Sequence, residues 1–317
     1  MQHITFLMPV KNGSRFLYDS LANLLEISRP NDEILIVNDY STDNTTQIIE
    51  NFSRMHPRVN LINNKEPGLV GALNLGIKES KNDWIARCDV DDKYTLNRAE
   101  VQQKEISKNP VAIFSDYTFF SESIKNLGRM PSALTKQAVS VSLAMSQRSA
   151  HSSVLFNRLA VQDAGGYIAE DFPAEDLSLW LRLSRVGDLV STAENLMFYR
   201  LDSNSISFQK RKEILSKKRE LMKSIGINLE DYLFTCNNLL EILKGYDGEE
   251  LGNQRKLLLI REILTIKQNP SSFSINSKRL DILNKRFIIE ISKFQSFSDI
   301  YHLNSCKKKR NKIRGLV

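Results

Sequence analysis

Residues 83–92, DWIARCDVDD, place three carboxylates next to a buried strand. Trp84-Ile85-Ala86 is a short apolar run typical of a strand end, and Asp89, Asp91 and Asp92 follow it. Residues two apart in an extended chain point to one face, so we expect Asp89 and Asp91 to share a space. Anions that close repel unless a cation lies between them, and carboxylates suit Mg²⁺ or Mn²⁺. The stretch indicates either a metal site or a polar turn in which Asp92 helps to cap the next helix.

A second acidic pair, Glu175-Asp176, opens a stretch with helical periodicity through Leu177, Trp180 and Leu183. The free N–H groups and the dipole at a helix amino terminus hold carboxylates ionised. An ionised Asp there can act as a general base, although helix capping is the commoner role for an acid at this position.

Short strands and amphipathic helices alternate over the first 120 residues, and Ser14 is placed to cap the first helix. This alternation predicts an α/β protein with a parallel, doubly wound sheet. Polar residues follow four of the strands, so we expect them to share the rim where such sheets bind ligands. The predicted strands are 4–10, 33–37, 58–63, 83–88 and 111–115, and the polar residues are Asn12, Asp39, Asn64 and Asp89. Segment 117–150 predicts a hairpin followed by a short helix at 135–145.

Two nucleotide-binding patterns are absent from the sequence. Neither GxGxxG after the first strand nor GxxxxGK[ST] occurs, which argues against a dinucleotide dehydrogenase and a P-loop enzyme. Asp39 follows a strand, where a carboxylate often holds a ribose hydroxyl or a base edge. It is therefore a candidate nucleotide contact, with turn formation as the alternative.

Composition and charge suggest a chain of two parts. We expect no signal peptide and no membrane span, and the scattered Cys88, Cys236 and Cys306 indicate a reducing compartment without disulfides or a zinc site. Residues 1–204 hold 21 basic and 25 acidic side chains, net −4, whereas residues 205–317 hold 23 and 12, net +11. Such an asymmetry indicates different partners for the two parts.

Nine motifs in order resemble the bacterial family 2 glycosyltransferases of the GT-A fold, which invert the anomeric centre and build capsule, lipopolysaccharide and other surface glycans. The resemblance covers about residues 3–204. The motifs are MPVKNG (8–13), VNDYSTDNT (37–45), GLVGALNLGI (68–77), ARCDVDD (86–92), Arg98 with Gln102, HSSVLF (151–156), GGY (165–167), EDLSLWLRL (175–183) and YRLDSNSIS (199–207).

The resemblance implies a nucleotide-sugar pocket. Pro9, Val10 and Asn12 would line it, Asp39 would pair with uracil, and Asn74 would close it against the base and diphosphate.

It also implies the catalytic residues. Arg87 would close the pocket with Asn74, Asp89 would reach the ribose and donor sugar, and Asp91 would bind Mn²⁺ or Mg²⁺. Asp176, next to Glu175, would be the base that deprotonates the acceptor hydroxyl.

Two positions depart from the family pattern. Tyr40 stands where a glycine is common, which leaves the shape of its loop open. Asp202 replaces a common histidine and is either a further metal ligand or a loop residue. The QxxRW signature of processive synthases is absent, so we expect one sugar to be transferred per encounter.

We expect two domains, a GT-A domain at 1–207 and a basic helical region at 208–317, with helices at 214–221, 229–243, 257–266 and 280–291. The basic region either docks on an anionic membrane surface or is a solvated face. Nucleic acid is not an expected partner, because the basic run at 307–314 lacks interleaved aromatic residues. The expected location is cytoplasmic, at the inner face of the membrane if docking occurs.

The sequence favours an inverting transferase that moves a sugar from a UDP-sugar to a glycan or lipid-linked acceptor. A sugar-phosphate nucleotidyltransferase would need a glycine-rich loop with a nearby lysine after the first strand, and only Gly13 is present. A non-catalytic nucleotide-sugar-binding subunit is the other alternative, which the presence of both Asp91 and Asp176 disfavours.

Overall fold

The computed structural model describes residues 2–123, 129–130 and 149–224. Its first half alternates strands and helices as predicted, with boundaries within a few residues of those expected. These elements are β1 (Ile4–Val10), α1 (Ser14–Ile27), β2 (Glu33–Asn38), α2 (Thr45–Met55), β3 (Val59–Asn63), α3 (Leu69–Glu79) and β4 (Trp84–Arg87).

The second half is less regular. Its strands are β5 (Lys93–Tyr94), β6 (Ala112–Phe120), β7 (Arg129–Met130), β8 (Leu155–Asn157) and β9 (Leu189–Arg200). Its helices are α4 (Arg98–Ile106), α5 (Arg158–Asp163), α6 (Glu175–Val186), α7 (Ile206–Gln209) and α8 (Arg211–Ser224). The predicted hairpin is confirmed, because β7 pairs antiparallel with β6. The helices predicted at 135–145 and beyond residue 228 lie outside the described residues. No described helix is both long and apolar enough to cross a membrane.

The described strands form one sheet in the order β3-β2-β1-β4-β8-β6-β9-β5, with β7 beside β6. Strands β1 to β4 pair in parallel, whereas β8 runs antiparallel to both β4 and β6. The chain passes outward from β1 to β3 and then returns to the other side of β1 as β4. This reversal opens a crevice at the carboxyl ends of β1 and β4, where doubly wound sheets bind ligands.

Strand β1 is buried on both faces, as expected for a central parallel strand. Phe6 and Met8 belong to the apolar cluster that includes Leu17 and Leu21 of α1. Leu7 points the other way, against α3, where a Cβ added at Gly76 would lie 2.2 Å from its Cδ1. Glycine at this position therefore lets α3 approach β1 closely.

A buried arginine fixes the end of β4. Arg98 of α4 is fully buried, and its Nη2 donates to the main-chain oxygens of Arg87 at 3.0 Å and Val154 at 3.2 Å. Its guanidinium lies 4.3 Å from the centre of the Tyr94 ring. Since these contacts join β4 to the lead-in of β8, they hold in place the strand from which residues 89–92 emerge.

The expected Ser14 cap is wrong. Helix α1 begins at Ser14, Gly13 occupies the cap position, and no side chain caps it from there. Instead Asp43, distant in sequence, accepts hydrogen bonds from the N–H groups of Ser14 at 3.1 Å and Thr45 at 3.0 Å. Burial opposes ionisation of Asp43, but these bonds outweigh it and lower its pKa to about 2. One carboxylate thus serves the first turns of two helices.

Candidate active site

The loops after β1 and β2 are joined by Asn12, one of the predicted pocket residues. Its N–H donates to Ser41 Oγ at 2.9 Å, and its Oδ1 accepts from the N–H of Thr42 at 2.8 Å. Pro9 and Val10 are buried in β1, and the main-chain oxygen of Val10 accepts from the N–H of Asp39 at 2.8 Å. The predicted pocket residues of these two loops therefore lie side by side.

Asp39 connects the same rim to the loop before α3. It is buried, and its Oδ1 accepts from Asn64 Nδ2 at 2.8 Å and from the N–H of Gly68 at 2.9 Å. The neighbouring Tyr40 has φ +55°, a left-handed conformation that explains why glycine suits this position. Its hydroxyl donates to the main-chain oxygen of Lys65 at 3.1 Å. Hydrogen bonds thus brace the rim on the side of β2 and β3.

Residues 89–92, here called the acidic loop, follow β4. One ligand atom each of Asp89, Asp91 and Asp92 lies within 4.8 Å of the others. Asp89 forms an ion pair with Arg87, and its N–H donates to the Tyr94 hydroxyl at 2.8 Å. The expectation that Asp89 and Asp91 share one space is confirmed.

Asp92 is a member of this cluster that the sequence did not assign to the site. It is buried, accepts from the Ser152 hydroxyl, and accepts from the N–H of Arg200 at 2.9 Å. Helix α4 begins at Arg98, so the capping role considered for Asp92 is wrong. The sequence carried no sign of these contacts beyond the fact that Ser152 belongs to the motif HSSVLF and Arg200 to the motif YRLDSNSIS.

Arg87 and Arg200 lie near the acidic loop but do not offset the effects of burial and of its own negative charge. Burial, followed by the charge of Asp89, raises the pKa of Asp91 to about 6. Burial and the charges of Asp89 and Asp91 also raise the pKa of Asp92 well above its usual value. A divalent cation would offset this repulsion, and carboxylate oxygens are its preferred ligands. Both oxygens of Asp92 already accept hydrogen bonds, so the half-buried Asp91 fits the ligand role better.

A cleft of about 630 Å³ adjoins the acidic loop. One wall is α1, through Phe16, Asp19 and Asn23, and the other includes Asp91 and Arg200. The loop is therefore reachable from solvent along α1.

The motif GGY forms a turn that is clamped to α3. The side chain of Asn74 accepts from the N–H of Tyr167 at 2.9 Å and donates to the main-chain oxygen of Tyr167 at 2.8 Å. Gly166 has φ +64°, and a Cβ there would lie 2.8 Å from Asn74 Oδ1. Asn74 was predicted to contact the nucleotide, but both polar atoms of its side-chain amide bond to this turn.

His151 is a buried partner of the same turn. Its Nε2 lies 2.6 Å from the Tyr167 hydroxyl. Burial and the nearby charge of Arg87 lower the pKa of His151 well below its usual value, so the imidazole is neutral at pH 7. No role for His151 followed from residue type alone.

The amino terminus of α6 carries the predicted base. Glu175 is buried, and burial followed by the charge of Asp176 raises its pKa to about 7. Arg87 and Asp89 also act on this pKa, which places the start of α6 near the end of β4. Asp176 is half-buried and accepts from the N–H of Leu177 at 2.7 Å. Of the two acids, Asp176 is the more accessible to a substrate.

Asp202 lies after β9, on a turn. Its Oδ1 accepts from the N–H of Asn204 at 2.8 Å, and its main-chain oxygen accepts from the N–H of Ser205 at 3.1 Å. Among the described residues, the metal-capable cluster comprises Asp89, Asp91 and Asp92. A ligand role for Asp202 stays a prediction.

A mixed sheet with this order, carrying an acidic loop after β4 at the ligand-binding edge, defines a GT-A glycosyltransferase fold. Residues 5–156 match Glycosyl transferase family 2. These residues, just under half of the chain, therefore form a family 2 glycosyltransferase domain.

Two bacterial relatives illustrate the match. An uncharacterized glycosyltransferase of Rickettsia bellii is 27% identical over 213 residues, which is 65% of this chain but only 30% of the relative. The putative teichuronic acid biosynthesis glycosyltransferase TuaG of Bacillus subtilis is 24% identical over 66% of this chain and 83% of its own length.

Two solved structures share the fold. S. aureus TarS 1-349, in complex with UDP-GlcNAc, has a TM-score of 0.54 at 13% identity, over 90% of this chain and 92% of that one. The mannosyltransferase PcManGT of Pyrobaculum calidifontis, in complex with GDP-Man and Mn²⁺, has a TM-score of 0.55 at 14% identity, over 97% and 86%. The predicted fold class is confirmed.

Proposed function

We propose that this protein transfers a sugar from a UDP-sugar to a hydroxyl group of a glycan or lipid-linked acceptor during polysaccharide synthesis, with inversion at the anomeric carbon. The observation that carries the proposal is the grouping of three carboxylates within 4.8 Å at the ligand-binding edge of the sheet. A relative named for teichuronic acid biosynthesis and a fold neighbour bound to UDP-GlcNAc support the acceptor and donor classes.

In the proposed reaction Asp176 takes the proton from the acceptor hydroxyl. The resulting oxygen attacks the anomeric carbon and forms the new glycosidic bond, while the bond between that carbon and the diphosphate oxygen breaks. Attack from the face opposite the leaving group inverts the centre. Asp176 suits this step because it is half-buried at a helix amino terminus, where an acceptor hydroxyl could reach it.

Asp91, with Asp89 beside it, would hold Mn²⁺ or Mg²⁺, which would neutralise charge on the departing diphosphate. Asp39 and Asn12 would hold the nucleoside at the neighbouring rim, since their loops are already joined by hydrogen bonds. Arg87 is held against Asp89, where its charge would face the diphosphate.

Isothermal titration with UDP tests the donor and metal assignments together. We expect UDP to bind at least about tenfold more tightly with Mn²⁺ than with EDTA, because the ion would offset the negative charge of both the acidic loop and the diphosphate. GDP, which has the same diphosphate on a larger base, should bind more weakly. Equal binding of both nucleotides would contradict the uridine assignment, and no binding of either would contradict the function.

We also propose that the basic region from residue 208 onward docks on an anionic membrane surface. Helix α8 supports this, because its 14 residues include six Lys or Arg and two Glu. Each basic residue near an anionic surface contributes about 1 kcal/mol to binding.

In a flotation assay, the full chain should rise with vesicles containing acidic lipid at low salt and should not rise with neutral vesicles. The interaction should weaken at high salt, where charges are screened. Absence of flotation with acidic vesicles at low salt would refute docking and would leave the transferase proposal unaffected.

A further inference from the structure

Arg200, the last residue of β9, contacts two consecutive residues of the acidic loop. Its N–H donates to Asp92 Oδ1 at 2.9 Å, and its Nε donates to the main-chain oxygen of Asp91 at 2.9 Å. Ser152 donates to the other oxygen of Asp92. The backbone of the loop is therefore fixed from outside, while the Asp91 carboxylate takes no part in the Arg200 hydrogen bonds.

The guanidinium of Arg200 is itself fixed by two aromatic rings. Its Cζ lies 4.6 Å from the ring centre of Phe16 on α1 and 4.5 Å from that of Phe120 at the end of β6. Stacking on two rings holds the plane of the guanidinium and keeps its Nε edge directed at Asp91. A lysine ammonium has neither that plane nor a donor at the Nε position.

Arg200 has further donors on its two Nη atoms. Among the described residues, its Nη groups form no hydrogen bond, and the side chain lines the cleft beside the acidic loop. Its positive charge acts on Asp91 without forming an ion pair with it. Its hydrogen bonds instead fix the main chain at Asp91 and the carboxylate of Asp92.

We propose that Arg200 is a positioning residue for the divalent cation. It holds the acidic loop in the shape in which Asp91 can bind the ion and is not itself a ligand. The proposal rests on the metal role of Asp91 in the proposed function. Neither residue type nor spacing had indicated this role for Arg200 of the YRLDSNSIS motif.

The test is a titration of the full chain with Mn²⁺ in the presence of UDP. Electron paramagnetic resonance measures the concentration of free Mn²⁺, which gives the affinity of the protein for the ion. Residues that orient metal ligands typically change affinity by about 10- to 100-fold, so Arg200→Gln should weaken Mn²⁺ binding by at least about tenfold. Arg200→Lys should weaken it nearly as much, because the charge alone does not restore the contacts. Phe16→Leu keeps both hydrogen bonds and removes one stacking ring, so a loss of about threefold is expected.

Arg58→Lys is the matched control. Arg58 donates to the main-chain oxygens of Leu25, Ser28 and Arg29, so it also holds backbone, but where α1 leads into β2 rather than at the acidic loop. The substitution Arg58→Lys should lower the melting temperature and leave the affinity for Mn²⁺ unchanged.

Two results with the arginine variants would overturn the proposal: Arg200→Gln binds Mn²⁺ with wild-type affinity, or Arg200→Lys and Arg58→Lys lose Mn²⁺ affinity to the same extent. If the Arg200 variants do not fold, wild-type Mn²⁺ affinity in Phe16→Leu would overturn it. If wild-type protein binds no Mn²⁺ with UDP, or Asp91→Asn binds it normally, the metal assignment itself fails and this inference fails with it.

Discussion

Replacing Asp91 by Asn is expected to abolish the Mn²⁺-dependent part of UDP binding and to lower sugar transfer by about a thousandfold or more. The variant keeps the volume of the side chain and removes the charge that the proposed metal site depends on. Titration with UDP in the presence and absence of Mn²⁺ measures the first effect, and turnover of a UDP-sugar measures the second.

The same substitution should stabilise the protein in the absence of ligand. Because burial and Asp89 raise the pKa of Asp91 to about 6, the folded state binds this proton more tightly than the unfolded chain does. The ionised Asp91 therefore destabilises the fold as the pH rises from 4 through 6. Above that range Asp91→Asn should be more stable than wild type by about 1 to 3 kcal/mol, with the difference shrinking towards pH 4.

Asp19→Asn is the control for charge. Asp19 is an exposed carboxylate of α1 that lines the same cleft without belonging to the acidic loop. It should retain Mn²⁺-dependent binding. Loss of binding in Asp19→Asn, or its retention in Asp91→Asn, would remove Asp91 from the metal site.

The second large effect is expected at Asp176. Asp176→Asn should lower turnover by about 10²- to 10⁴-fold, the usual contribution of a general base, while UDP affinity stays within about twofold of wild type. The reason is that the proposed base acts on the acceptor and not on the nucleotide. Turnover at saturating donor, compared with UDP titration on the same preparation, separates the two effects.

Glu175→Gln provides the comparison for Asp176, since both acids belong to the predicted catalytic pair. With a pKa raised to about 7 by burial and Asp176, Glu175 is partly protonated at neutral pH, and the neutral glutamine mimics that form. Its turnover should fall by about tenfold at most. The reverse pattern, with Glu175→Gln inactive and Asp176→Asn active, would make Glu175 the base.

The parallel half of the sheet could be predicted because its signals are local. Strands β1, β2 and β4 are short and mostly apolar, β3 alternates apolar and polar residues, and each strand is followed by a polar residue or an amphipathic helix. The rim around Asn12 and Asp39 followed from that pattern, since the carboxyl ends of parallel strands share one edge. Nothing local indicated that β8 inserts antiparallel between β4 and β6.

The part of the site that escaped prediction depends on long-range contacts. The two partners of Asp92 are 60 and 108 residues away in sequence, so no spacing rule could connect them. Similarly, Asn74 meets Tyr167 across 93 residues. The sequence placed Asp89 and Asp91 after a strand, as the structure does, whereas the residues that hold the acidic loop became evident only once distant segments were brought together.

These long-range contacts bear on how the enzyme matures during synthesis. Domains generally fold as units while the chain leaves the ribosome, amino-terminal elements first. Strands β1 to β4 can pair early, but the acidic loop receives Ser152 and then Arg200 only when those residues have emerged. A nascent chain would thus form the rim around Asn12 and Asp39 before the acidic loop has its partners. A chain terminated before residue 200 would lack the hydrogen bonds that Arg200 donates to the acidic loop.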